Sequence, residues 1–89
     1  MVEVVEAKAL APLKLWLRFS DRREGVVDLG GLELRGALER LRDAEFFAQA
    51  YVDPELGTVA WPGGLDLDPL VLHHLLTGEP LPGNVLTPP

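Results

Sequence analysis

The side chains best able to do chemistry are His73 and His74, with Asp66 and Asp68 a few residues upstream, and Ser20 beside Asp21. A histidine with a carboxylate can act as an acid–base pair or contribute to a metal site. Adjacent residues on a helix point about 100° apart, however, so His73 and His74 cannot ligate one ion from one face. No recognised metal-ligand spacing surrounds them. Asp68 stands directly before Pro69, where a carboxylate caps a helix and proline opens it. Ser20 and Asp21 would need a histidine from position 73 or 74 to complete a nucleophilic triad. No strained nucleophile elbow precedes the serine, and a turn explains it better. Pro62-Gly63-Gly64 lacks the lysine and the glycine spacing of a phosphate loop. No catalytic, cofactor-binding or metal-ligating residue is assigned on these grounds, and the chain is expected not to be an enzyme.

The two tryptophans suggest a different use. Trp is enriched at protein interfaces. Trp16 alternates with Lys14 and Arg18 on the more polar face of a strand, and is read as a core-edge residue or an interface anchor. Trp61, just before Pro62, is read as a core-edge residue or an interface anchor.

Composition narrows the field further. A chain of 89 residues is one domain, and a thin core must accommodate a sequence that is 47% apolar. Covering the surplus by self-association, most simply as a homodimer, is the expected solution. The absence of cysteine excludes disulfides, thiolate zinc sites and cysteine nucleophiles. No basic leader precedes an apolar run at the N-terminus, and no run reaches membrane-spanning length, so a cytoplasmic protein without membrane contact is expected.

The net charge of −6 is unevenly spread. Residues 1–24 carry five basic and four acidic side chains, and residues 25–52 three basic and five acidic. Residues 53–89 carry Asp53, Glu55, Asp66, Asp68 and Glu79 with no Lys or Arg. Affinity for nucleic acid comes largely from neutralising phosphates with Lys and Arg. Direct nucleic-acid binding is therefore not expected, whereas a basic protein partner suits the charge.

These residues must be positioned by an α+β fold. Val2 and Val4, then Leu15, Leu17 and Phe19, recur at period two and predict strands on either side of Pro12. Residues 20–25 read as a turn in which Gly25 takes a positive φ, and residues 26–29 return as a third strand. The result is an N-terminal three-stranded antiparallel meander. After Gly30-Gly31, the residues Leu34, Ala37, Leu38 and Leu41 recur at helical spacing. Arg35, Glu39 and Arg42 lie outside, spaced for ion pairs along the helix. Asp43 caps a second short helix that carries Phe46 and Phe47. A second β-hairpin joins Tyr51-Val52-Asp53 to Thr58-Val59-Ala60-Trp61 around Pro54-Glu55-Leu56-Gly57, and Pro62-Gly63-Gly64 ends it. A C-terminal helix runs from Asp68-Pro69 to Gly78. The domain thus spans residues 1–78. Residues 79–89 form an extended Pro-rich tail, flexible or docked on a neighbouring subunit.

The run Leu15-Trp16-Leu17-Arg18-Phe19-Ser20-Asp21, then Val27-Asp28-Leu29, Leu41-Arg42-Asp43 with Phe47, and the stretch from Gly57 to Pro69 together resemble the bacterial domain-of-unknown-function family 2442. The specific piece is Val-x-Trp-Pro-x-Gly-x-Asp-Leu-x-Pro, here Val59 through Pro69, so Trp61, Pro62, Gly64, Asp66 and Pro69 carry the signature. Arg22 stands where the family usually has Gly after the Asp of its first hairpin turn, and Gly63 where it often has Asn. The resemblance implies a small α+β domain with no established activity and no catalytic residue to carry over. It also implies a gene that often sits beside another small protein in arrangements suggestive of toxin–antitoxin pairs, with some relatives fused to a helix-turn-helix domain.

Three functions follow as expectations. The first is a protein-binding module, the acidic, antitoxin-like partner in a two-protein system. The second is a small-molecule-binding or enzymatic domain using Trp61, Asp66 and His73 or His74, which requires those groups to converge in one recess. The third is an accessory to a transcription regulator supplied by another chain.

Overall fold

The computed structural model describes residues 2–10 and 12–80. Period-two alternation produces the first sheet. Strands β1 (Val4–Leu10), β2 (Lys14–Phe19) and β3 (Glu24–Asp28) pair antiparallel in the order β1-β2-β3. Leu15, Leu17 and Phe19 turn inward with Val4 and Val27, while Lys14, Trp16 and Arg18 turn outward. Across the strands Trp16 stands opposite Lys8 and Val26, and Arg18 opposite Glu6 and Glu24. A bulge between Val4 and Glu6 leaves Val5 exposed.

The β2–β3 connection departs from the expected turn in an instructive way. The Phe19 carbonyl accepts from the Arg22 amide at 2.9 Å, the Phe19 amide donates to the Arg23 carbonyl at 2.8 Å, and Arg22 sits at φ 73°. This is a three-residue hairpin loop whose last position must be left-handed. The positive φ therefore falls on Arg22, where the related family usually has Gly, and not on Gly25. Gly25 lies within β3, and a Cβ there would meet Leu76 Cδ1 at 2.6 Å. Its role is to let the C-terminal helix close on the sheet. Strand β3 accordingly begins earlier than the apolar run suggested and ends at Asp28, whose carboxylate takes the Gly30 amide at 2.8 Å and turns Leu29–Gly31 into a 3₁₀ segment.

The segment expected as the first helix is a 3₁₀ helix, Gly36–Arg42. Residues three apart eclipse one another in that geometry, so Leu38 and Leu41 share the inner side while Ala37 is exposed. Arg35 is extended and outside the helix, so the expected Arg35–Glu39 pair is replaced by Arg35–Glu33 at 3.2 Å. Asp43 caps α1 (Ala44–Phe47), accepting from the Glu45 amide at 3.0 Å. Phe46 and Phe47 enter the core, and the Arg40 guanidinium covers the Phe46 ring at 4.0 Å.

The second sheet has one strand more than its hairpin promised. Strands β4 (Tyr51–Asp53), β5 (Thr58–Trp61) and β6 (Leu65–Asp66) pair antiparallel in that order. Gly63 and Gly64 at φ 92° and 84° make Pro62-Gly63-Gly64 a reversal, not an ending, and bring Leu65 opposite Trp61. All four residues of β5 are buried. Helix α2 (Pro69–Thr77) starts at Asp68, which accepts from the Leu70 amide at 2.8 Å, and stops at Gly78. One core unites both sheets, with Leu15, Leu17, Phe19, Val59, Trp61 and Leu72 at its centre. Residues 81–89, most of the expected tail, lie outside the described residues. Glu79, placed by sequence in that tail, binds Arg23 at 2.5 Å and belongs with the domain.

Candidate functional site

The two histidines go to different partners. His73 projects from α2 onto the β2–β3 loop, where its Nε2 donates to Asp21 Oδ2 at 2.8 Å and its ring stands edge-on to Phe19 at 5.0 Å. The histidine side chain is only 13% exposed. Hydrogen bonding from His73, and then from the Arg23 amide at 3.0 Å, holds the Asp21 carboxyl below the usual aspartate range. His74 turns away from that loop, and its Nδ1 donates to the Glu79 carbonyl at 2.6 Å. Together with the Arg23–Glu79 pair, these contacts fasten the end of α2 to the first sheet.

Asp21 and His73 thus do meet, across 52 residues of sequence. Ser20 does not extend them into a triad. Its Oγ accepts the Glu3 amide at 3.0 Å, and its own amide donates to the Glu3 carbonyl at 2.8 Å, so it serves the hairpin. Among the described residues no group of three or more His, Asp or Glu side chains is arranged to hold a metal ion.

Trp61 is fully buried. Its ring stacks on Phe47 at 5.8 Å and its Nε1 donates to the Phe47 carbonyl at 2.9 Å, which ties β5 to α1. An interface role for Trp61 is ruled out by that burial; it is a core residue. Pro62 and Gly64 shape the β5–β6 reversal, and Pro69 opens α2. Trp16 remains partly exposed on the outer face of the first sheet, beside Val26 at 51% and near Leu10 at 40% exposure.

Within Val59 through Pro69, Trp61 is buried, Pro62-Gly63-Gly64 makes the reversal and Asp68-Pro69 starts α2, and the family model described as "Protein of unknown function (DUF2442)" matches residues 4–78. The chain belongs to the DUF2442 family. No curated protein and no solved structure matches it. The DUF2442 signature therefore reads as a folding element, in which a buried tryptophan, a glycine reversal and a capped helix follow one another.

Asp66 is the exception within that signature. It is exposed on β6 and lines a groove of about 300 Å³ between the segment around Leu32, Leu34 and Leu38 and the start of α2. Leu67, Val71 and Leu72 complete the apolar lining, while Glu33, Asp66 and Asp68 supply the carboxylates. Neither histidine lines this groove. Trp61, Asp66, His73 and His74 are consequently distributed over the core, the groove, the β2–β3 loop and the end of α2. Sequence spacing could not show the groove, because its two walls are about thirty residues apart in the chain.

Proposed function

We propose that this DUF2442 chain is a protein-binding module that recognises a basic partner, as the acidic, antitoxin-like half of a two-protein system. The observation that carries the reading is charge segregation along the chain, in a stretch that leaves apolar residues exposed. Residues 53–80 contain Asp53, Glu55, Asp66, Asp68 and Glu79 and no Lys or Arg, while Leu56 and Leu75 in the same stretch stay exposed. A surface of one sign steers an oppositely charged partner and repels like-charged ones. The gene-neighbour habit implied by the family resemblance supports a partner of similar size. The partly exposed Trp16 with Val26 and Leu10 supports association of two copies through the outer face of the first sheet. No helix among the described residues is long and apolar enough to cross a membrane; a cytoplasmic complex is part of the proposal.

The test is affinity purification of the full chain from its native host under stringent, replicated conditions. A stoichiometric basic protein is expected in the eluate, and light scattering of the free chain is expected to give a dimer. Repeated recovery of the chain alone contradicts partner binding.

A further inference from the structure

We infer that the groove between residues 32–38 and the β6–α2 junction is the docking site for a short segment of another protein that presents aliphatic side chains flanked by Lys or Arg. This inference rests on the basic-partner reading and locates it. The floor is aliphatic, formed by Leu32, Leu34, Leu38, Leu67, Val71 and Leu72. At about 300 Å³ it suits aliphatic anchors from one segment rather than a folded surface. The rim decides the occupant's charge. Every charged side chain lining the groove is a carboxylate, and no Lys or Arg lines it. Glu33 already pairs with Arg35, and Asp68 spends one oxygen on the Leu70 amide. Asp66 has no ion-pair partner among the described residues. An acidic segment would set its charges against Asp66 and Asp68, whereas a basic one finds an unused carboxylate beside an apolar floor.

The experiment measures fluorescence anisotropy of the full chain with two labelled synthetic peptides of identical pattern, one of leucine and lysine, the other of leucine and glutamate. The lysine peptide is expected to bind the native chain and the glutamate peptide to bind far more weakly. The double variant Asp66→Asn, Asp68→Asn is expected to bind the lysine peptide roughly five- to tenfold more weakly, as loss of two rim charges implies. Asn caps a helix about as well as Asp, so this variant keeps α2. Val71→Lys, which puts an ammonium group into the groove, is expected to abolish binding, and Trp16→Ala is the variant that reports a site on the first sheet. Equal binding of the lysine peptide to the native chain and the double variant overturns the groove. If affinity falls instead in Trp16→Ala, the site lies on the first sheet and only the location fails. Equal binding of both peptides, or of neither, overturns the groove and the basic-partner reading together.

Discussion

The two sheets of this protein solve opposite problems. The first keeps one face in water, so β2 alternates buried and exposed residues, and its outer face mixes Lys8, Lys14 and Arg18 with Glu6, Glu24 and Asp28. The second surrounds its central strand completely: Thr58, Val59, Ala60 and Trp61 are all buried, and the buried Thr58 hydroxyl donates to the Leu67 carbonyl at 2.7 Å. A strand exposed on one side tolerates outward substitution, whereas one buried on both sides has no neutral position. All Lys and Arg lie in the half of the sequence that contains the first sheet, and the stretch after Val52 has none. The strand buried on both sides thus anchors the fold in the second sheet, while the first keeps its charged side chains in water.

The largest expected effect probes that anchor. Trp61→Ala removes the stacked ring and the indole bond to the Phe47 carbonyl, which keeps only the Ala50 amide at 3.2 Å. It should cost about 3–5 kcal/mol in urea unfolding, and a loss under about 1 kcal/mol would show that β5 is not the core of the second sheet. Thr58→Val keeps the shape but leaves the Leu67 carbonyl unpaired, for an expected loss of about 1–2 kcal/mol. No measurable loss would mean that water replaces the bond.

Two smaller effects sharpen the picture of the first sheet. Arg22→Gly relieves a left-handed non-glycine residue. It should raise stability by about 0.5–1 kcal/mol after the entropy of the unfolded glycine is offset. Destabilisation would imply that the Arg22 side chain matters more than its backbone. The Asp21–His73 contact should be visible in carboxyl NMR. Because the folded Asp21 carboxyl is held low, its contribution is present above the ordinary aspartate pKa and is lost as pH falls through the folded value. In His73→Leu the Asp21 midpoint should rise, yet stay below ordinary while the Arg23 amide still donates to it. An unchanged midpoint contradicts the contact.

Much of the fold was legible because each signal was local. Alternation gave β2, the Asp68-Pro69 pair gave the start of α2, and Asp43 gave α1. What failed were signals whose meaning depends on distant contacts. Gly25 looked like a turn residue, but Leu76 dictates it. The leucines before Arg42 looked α-helical, yet a seven-residue stretch with no side-chain cap at Arg35 winds as 3₁₀. Strand β6, at two residues, carries too little pattern to be seen until Ala60 and Trp61 pair with it. The candidate site was less legible still. Asp66 stands out in the sequence as part of a motif and as a carboxylate upstream of the histidines, while the groove it borders exists only after residues 32–38 fold against α2.

Where a basic segment lands on this protein decides between the groove and the first sheet. Backbone amide NMR of the isotope-labelled full chain, titrated with the leucine–lysine peptide, measures this directly. The predicted shifts concentrate at residues 32–38 and 65–72 and shrink in the Asp66→Asn, Asp68→Asn variant. Shifts gathered instead around Trp16 and Val26, with the groove silent, would contradict docking in the groove.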